Sequence, residues 1–207
     1  MNNASETPVL VSVADALETP LIQSAAEKLL AQDILVIPTD TVYGIAQIVS
    51  PATSPAGLMQ IKQRPQEKNI PLLVSSIQDL ERYGSNLPDY AKELAARHWP
   101  GALTLVVRAS QEIPHSFVGE DGSVALRMPA HPVTLALLKA IKAPLACSSA
   151  NLSGKAPATA LSELDPLIAH RVALIIDGGS LSGGVASTVV SCLGDEPLVL
   201  RPGPVAL

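Results

Sequence analysis

Six short polar stretches of the chain hold side chains that could do chemistry. They are Thr39-Asp40-Thr41-Val42-Tyr43-Gly44, Lys62-Gln63-Arg64-Pro65 with Lys68 beyond it, Arg127-Met128-Pro129, Ser148-Ser149-Ala150-Asn151, Ser187-Thr188 and Arg201-Pro202-Gly203. Hydroxyls, amides and cations dominate, carboxylates are few, and none of the six contains a histidine. Such an inventory suits anion binding. Hydroxyls and Asn donate hydrogen bonds, Arg forks onto a carboxylate or phosphate, and Lys acts as a point charge. It does not suit a hydrolase built on a Ser-His-Asp relay.

Each stretch also has an ordinary structural reading. A Lys-x-Arg pair after a helix can be a solvated helix end facing the dipole. Ser-Ser-Ala-Asn before Ser-Gly is a reasonable turn or cap sequence, and Thr39 and Thr41 could cap. Arg201 beside Pro-Gly could be a turn residue. Arg127 is harder to dismiss, because it interrupts an apolar strand and Arg is seldom buried without a partner. His98, His115, His131 and His170 are scattered and read as structural or surface residues. Asp177-Gly178-Gly179 reads as a strand-terminating turn. Neither Gly-x-Gly-x-x-Gly nor Gly-x4-Gly-Lys-Ser/Thr occurs, so neither a dinucleotide fingerprint nor a P-loop is supported.

Periodicity supplies the elements that must position these residues. Strands are expected at Val9 to Val13, Ile34 to Ile37, Ile70 to Val74, Leu103 to Arg108, Val124 to Met128, Leu145 to Cys147, Val172 to Ile176, Thr188 to Cys192 and Leu198 to Leu200, the last two adjacent. Helices are expected over Pro20 to Gln32, Thr53 to Lys62, Leu87 to His98, His131 to Lys142 and Leu161 to Ala169, with more helical pattern around Leu80. Pro20 fits a first helical turn, with Leu21, Ile22, Ala25 and Leu29 on one face. Alternating elements ending in strands imply an α/β fold with a twisted mixed sheet and flanking helices. In open α/β sheets ligands sit just beyond strand ends, so the six stretches are expected there, framing one cleft.

Composition bounds the rest. At 207 residues the chain fits one domain, and 47% hydrophobic residues with 2% aromatics imply an aliphatic core. No apolar run approaches the ~18 residues that span a bilayer, and Met1 to Pro8 lacks a basic lead into an apolar run. The two cysteines, Cys147 and Cys192, make no disulfide framework, and no Cys/His spacing reads as a zinc site. A soluble, cytoplasmic protein is expected. A net charge of −5 argues against general nucleic-acid binding but allows a local basic cleft.

The order of the motifs is more specific than any one of them. Pro38 to Gly44, Lys62 to Pro65, Trp99-Pro100-Gly101-Ala102-Leu103-Thr104, Val124 to Pro129, Ser149-Ala150-Asn151-Leu152-Ser153-Gly154, Asp177 to Gly179, Ser187 to Val190 and Leu200 to Gly203 follow one another. In this order the sequence resembles the YrdC-like threonylcarbamoyl-AMP synthases, over about residues 14–204. The resemblance implies a single YrdC-like domain over 1–207, the short form of the family, with a large concave basic cavity. It also implies a reaction: L-threonine, bicarbonate and ATP give threonylcarbamoyl-AMP and pyrophosphate. Other proteins then transfer the threonylcarbamoyl group to a tRNA adenosine beside the anticodon. ATP would be a substrate, with Mg2+ carried by the nucleotide and no metal site on the protein.

By matched position the resemblance gives Thr41, Arg127 and Ser187 contacts to threonine, with Arg127 forking onto its carboxylate. Ser75 stands where many members place a histidine touching the same substrate, and the backbone near Cys147 is a further threonine position. Arg64, Ser123, Ser149 and Arg201 match ATP contacts, and Asn151 completes a Ser-x-Asn element. Lys62 and Lys68 add charge around the phosphates, and Lys62 and Arg64 are the residues expected to act in catalysis. Asp40 replaces a common glutamate, Ser148 a frequent proline, Ala186 a frequent glutamate, and Ser75 the histidine. Two competing readings remain. One is an RNA-binding module whose cavity takes tRNA or double-stranded RNA. The other is a paralogue that binds a nucleotide without making the threonine adduct.

Overall fold

The structure, a computed structural model, describes residues 9–12, 19–63 and 70–207. Val13, Arg64 and Lys68, named above, lie outside the described residues. The elements in chain order are β1 (Val9–Ser12), α1 (Thr19–Leu30), β2 (Leu35–Ile37), β3 (Gly44–Ile48), α2 (Ala56–Lys62), β4 (Leu72–Leu73), α3 (Gln78–Tyr83), β5 (Gly84–Ser85), α4 (Asp89–His98), β6 (Leu103–Ala109), β7 (Ser123–Arg127), α5 (Pro132–Ile141), β8 (Leu145–Ser149), α6 (Pro166–Ala169), β9 (Leu174–Asp177), β10 (Thr188–Ser191) and β11 (Leu198–Arg201).

The strands form one mixed sheet in the order β1-β9-β2-β3-β8-β4-β7-β6-β10-β11, with β5 paired to β6 off this path. Pairing is parallel for β1–β9, β9–β2, β4–β7 and β6–β10, and antiparallel elsewhere. The adjacency expected of the last two strands is present, as an antiparallel β10–β11 pair with an irregular register at Val189/Val190.

Two of the layers explain where a cavity can form. In α1, Ile22, Ala25, Ala26 and Leu29 are buried at helical spacing, and in α5 so are Val133, Leu137, Leu138 and Ile141. These stripes pack on Leu35, Ile37, Ala46, Ile48, Leu145 and Leu174, one face of β2, β3, β8 and β9. The opposite face carries Val36, Ile45, Ala146, Leu72, Leu126, Leu105 and Val190 and meets α2, α3 and α4 through Leu58, Met59, Leu80, Leu94 and Ala95. The first face is therefore roofed by α1 and α5 only over one half of the sheet.

Three expectations are corrected. β3 is a fully buried strand that periodicity did not announce, because a run opening on Gly44 and containing Gln47 lacks a clean alternation. The helix expected from Thr53 begins at Ala56. Thr53 instead closes a turn, its Oγ1 accepting from Ser50 N and donating to Ile48 O. The helix expected over Leu161 to Ala169 is a 3-10 turn, Leu161–Glu163, and the short α6. Pro166 cannot extend a helix from the preceding turn, and Asp165 caps the new start through Leu167 N at 3.0 Å.

Leu126 is fully buried in the layer beneath the half of the sheet that α1 and α5 leave bare. Leu126→Ala should lower unfolding free energy by about 2–5 kcal/mol through lost burial and a residual cavity. A urea titration should show a lower midpoint with an unchanged slope.

Candidate functional site

Strand periodicity adds a sheet face to the strand ends at which the site is expected. Side chains alternate sides along a strand, and the registers align Leu73 with Arg127 and with Leu145, and Leu105 with Leu126. Leu73, Ser123, Ala125, Arg127, Thr104, Val106, Val189 and Ser191 thus share the bare half of the face. They line a cavity of about 520 Å³ whose wall is completed by Thr39, Thr41 to Gly44, Cys147 to Ser149, Ala186, Ser187, Leu200 and Arg201. The expected strand-end placement holds for Arg127, Ser149 and Arg201, which close β7, β8 and β11, and for Ser187, which immediately precedes β10. Residues within the strands, Thr104, Val106, Ala125 and Ser191, add a floor in phase with them.

Arg127 lies at one end, 6% exposed. Its Nη2 meets Asp40 Oδ1 at 2.7 Å, its Nη1 donates to Thr41 Oγ1 at 3.0 Å, and its Nε donates to Gly101 O at 3.0 Å. The hydroxyls beyond it have fixed directions. Thr39 Oγ1 donates its one proton to Val42 O at 2.6 Å, so Thr41 Oγ1 is the donor in the 2.9 Å contact between the two threonines. Thr39 Oγ1 also accepts from the backbone N–H of Thr41 and Val42. The β2–β3 loop therefore folds back over the face and is held there by the arginine. Tyr43 pins its far side: Gly178 N donates to the phenol at 2.7 Å, and the phenol donates to Gly179 O at 2.7 Å. Burial is the main reason its pKa is pushed up to about 12.

A second polar group faces Arg127 across the sheet. Arg201 Nη2 donates to Ser187 O at 2.7 Å and to Ser187 Oγ at 3.2 Å, and Ser187 Oγ shares a 2.8 Å bond with Thr104 Oγ1. Thr104 is fully buried and is not among the residues that the sequence singles out. Its signal is present all the same, since a hydroxyl between Leu103 and Leu105 breaks an apolar strand on one face. Asp121, a second residue outside the expected set, is the carboxylate among the described lining residues. Its Oδ1 accepts from Ser123 Oγ at 2.6 Å and Ser123 N at 3.0 Å, and the hydroxyl bond chiefly holds its pKa below the usual carboxylate range.

The remaining expected residues separate. Ser149 lines the cavity. Lys62 is buried behind it, its Nζ donating to Ser149 O and to Asn151 O (2.8 Å), with Ser149 Oγ and Asn151 Oδ1 at 3.5 and 3.4 Å. Asn151 Nδ2 donates to Leu152 O and Lys155 O, so this side chain shapes its own turn. Ser75 lies outside the cavity, in a smaller pocket of about 340 Å³ between α3 and the end of α5, where its Oγ donates to Asp79 at 2.9 Å. Cys147 lines the cavity, and a Cβ on Gly44 would run into its Sγ. Only a residue without a side chain fits opposite it. Burial pushes the Cys147 thiol up to about 12 against the pull of Arg127 and Lys62, and pushes Cys192 up to about 11.

Two outcomes are expected. Both thiols should stay protonated and unalkylated by iodoacetamide at about pH 8.5, since thiolate is the reactive form. Mass spectrometry should find both labelled only after denaturation. Lys62→Met should leave the Ser149 and Asn151 carbonyls without this donor and cost about 1–3 kcal/mol of stability, read by urea unfolding.

Comparison with known proteins agrees with this architecture. A family model for Sua5, YciO and YrdC proteins, described as "Telomere recombination", matches residues 27–203. The threonylcarbamoyl-AMP synthase of Bacillus subtilis is 38% identical over 197 residues, 93% of this chain and 57% of that protein. A putative threonylcarbamoyl-AMP synthase of Mycobacterium tuberculosis is 38% identical over 185 residues, 89% of this chain and 85% of that protein. The crystal structure of Pyrococcus abyssi Sua5 complexed with L-threonine superposes with a TM-score of 0.88 at 33% identity, covering 94% of this chain and 57% of that one. The E. coli YciO structure gives 0.86 at 26% identity, covering 95% and 96%. The chain thus spans somewhat over half the length of the Bacillus and Pyrococcus proteins and most of the others. A fold that superposes on theirs and a sequence match along nearly its whole length place the chain in the Sua5/YciO/YrdC family.

Proposed function

We propose that the chain makes threonylcarbamoyl-AMP from L-threonine, bicarbonate and ATP. The observation that carries this reading is the pair of guanidinium groups on one cavity face. The registers set Thr104 opposite Val189, and Val189 opposite Arg201. Arg127 is the next residue across from Thr104, so Arg127 and Arg201 stand three strand spacings apart, roughly 14 Å. That span suits an amino-acid carboxylate at one end and a nucleotide at the other. Support comes from relatives that bear the synthase name and from the threonine complex of the Pyrococcus protein.

In this reading Arg127 takes the threonine carboxylate, with Thr41, Ser187 and the backbone at Cys147 around the rest of the amino acid. Arg64, Lys68, Ser123, Ser149, Asn151 and Arg201 serve the nucleotide. Ser75, bonded to Asp79 outside the cavity, is assigned no substrate contact. Threonine and bicarbonate first give N-carboxy-threonine and water, the amine nitrogen bonding to the bicarbonate carbon as its hydroxyl leaves. An oxygen of that new carboxylate bonds to the α-phosphorus of ATP, the bond from that phosphorus to the bridging oxygen breaks, and pyrophosphate leaves. The step needs alignment and charge stabilisation and no protein nucleophile. Lys62 provides charge at the Ser149 corner, Arg64 is assigned the same catalytic role by its place in the Lys-x-Arg motif, and enclosure by the β2–β3 loop keeps water from the labile intermediate. Magnesium enters as part of the nucleotide substrate. Asp121, the carboxylate at the cavity, is turned onto Ser123, and no group of three or more metal-ligating side chains occurs among the described residues, so they offer no separate cradle for it. The product then serves proteins that acylate a tRNA adenosine.

The test is pyrophosphate release from ATP that requires both threonine and bicarbonate, with the adenylate identified by mass. Arg127→Lys keeps a charge but loses the fork, and should raise the KM for threonine about tenfold or more with the KM for ATP little changed. RNA binding with no response to threonine or ATP would replace this reading with the RNA-binding module.

A further inference from the structure

We infer that Asp40 is a positioning residue that sets affinity for the amino acid by fixing the Arg127 fork. This rests on the reading of Arg127 as the carboxylate anchor. A guanidinium has five N–H donors in one plane. Nε–H, one N–H of Nη1 and one of Nη2 are engaged by Gly101 O, Thr41 Oγ1 and Asp40 Oδ1, which leaves one donor on each terminal nitrogen for a ligand. Gly101 and Thr41 hold two corners of the plane, and Asp40 is what stops its remaining corner from turning.

Asp40 does this from a braced position. The same Oδ1 that meets Arg127 accepts from Ala130 N at 3.0 Å. One carboxylate oxygen thus ties the β2–β3 loop to the segment that leaves β7, on either side of the arginine. The pair is desolvated, its side chains 7% and 16% exposed, so neither partner readily exchanges the contact for water. The titratable neighbour His131, whose pKa burial lowers against the pull of Asp40, has its Nδ1 buried with no hydrogen-bond partner and so offers the carboxylate no competing anchor there. The function belongs to the oxygen's position, because a full negative charge beside the anchor would itself repel an incoming carboxylate.

The two obvious variants separate position from charge. Asp40→Asn keeps an acceptor oxygen at the same reach, and Asp40→Ala removes it. Calorimetry should find threonine affinity about tenfold or more weaker in Asp40→Ala, ATP affinity little changed, and threonine affinity largely restored in Asp40→Asn. The Nε–H resonance of Arg127 in ligand-free protein gives a readout independent of any substrate. It should be sharp and slowly exchanging in wild type and Asp40→Asn, and broadened in Asp40→Ala. An unchanged resonance in Asp40→Ala overturns the positioning role whatever the ligands do. Equal weakening in both variants assigns the effect to charge and also overturns it, as does a parallel loss of threonine and ATP affinity. Wild-type protein that binds ATP but no threonine, with the resonance behaving as expected, removes the carboxylate-anchor reading and the proposed effect on affinity with it.

Discussion

Arg127 is a cation built into a sheet, and the cavity depends on how that cation is held. A guanidinium at 6% exposure is costly to bury without partners, because removing an ion from water costs several kcal/mol. Its partners come from three segments far apart in the chain: Asp40 and Thr41, Gly101, and through Asp40 the backbone at Ala130. Satisfying one side chain therefore folds the β2–β3 loop over the sheet. The loop then walls a space that an apolar residue at 127 would leave open or collapsed.

The surrounding fold explains why the space exists. Helices α1 and α5 cover β2, β3, β8 and β9, while among the described residues no helix packs on that face of β7, β6 and β10. The opposite face is packed throughout with aliphatic side chains. Strands that are apolar on one side and carry Ser123, Arg127, Thr104, Ser187 or Ser191 on the other are the expected result of a sheet with one buried and one wetted half. Cys147 and Leu73 stand at the border, touching the helical core and lining the cavity as well. A change at that border should alter packing and site shape together.

Much of this architecture is legible in the sequence. The 3.6-residue pattern yields α1, α4 and α5, and the apolar runs yield β6, β7, β8 and β10. The buried arginine is legible as an anomaly, since Arg127 sits inside Val-Ala-Leu-Arg-Met. Three things are not. The strand Gly44–Ile48 is hidden because it is buried on both faces and so shows no alternation. The part played by the face itself, through Val106, Ala125 and Ser191, is hidden because the rule that ligands sit at strand ends attends only to the ends. The separation of Ser75 from the cavity depends on the Asp79 carboxylate in the first turn of α3, which accepts from Ser75 N, Ser75 Oγ and Ser76 N, a detail that position in a motif cannot carry. Thr104 lies in plain view, and taking the strand two residues at a time is enough to find it.

The central claim is that one cavity holds the amino acid at Arg127 and the nucleotide toward Ser123, Ser149 and Arg201. A crystal structure of the full chain with threonine and a non-hydrolysable ATP analogue tests it most directly. The account predicts the threonine carboxylate within hydrogen-bond distance of both terminal nitrogens of Arg127, with Asp40 still in place behind it, and the phosphates on the Ser149 side of the same cavity. Threonine bound away from Arg127, or the nucleotide in the smaller pocket at Ser75, would contradict it.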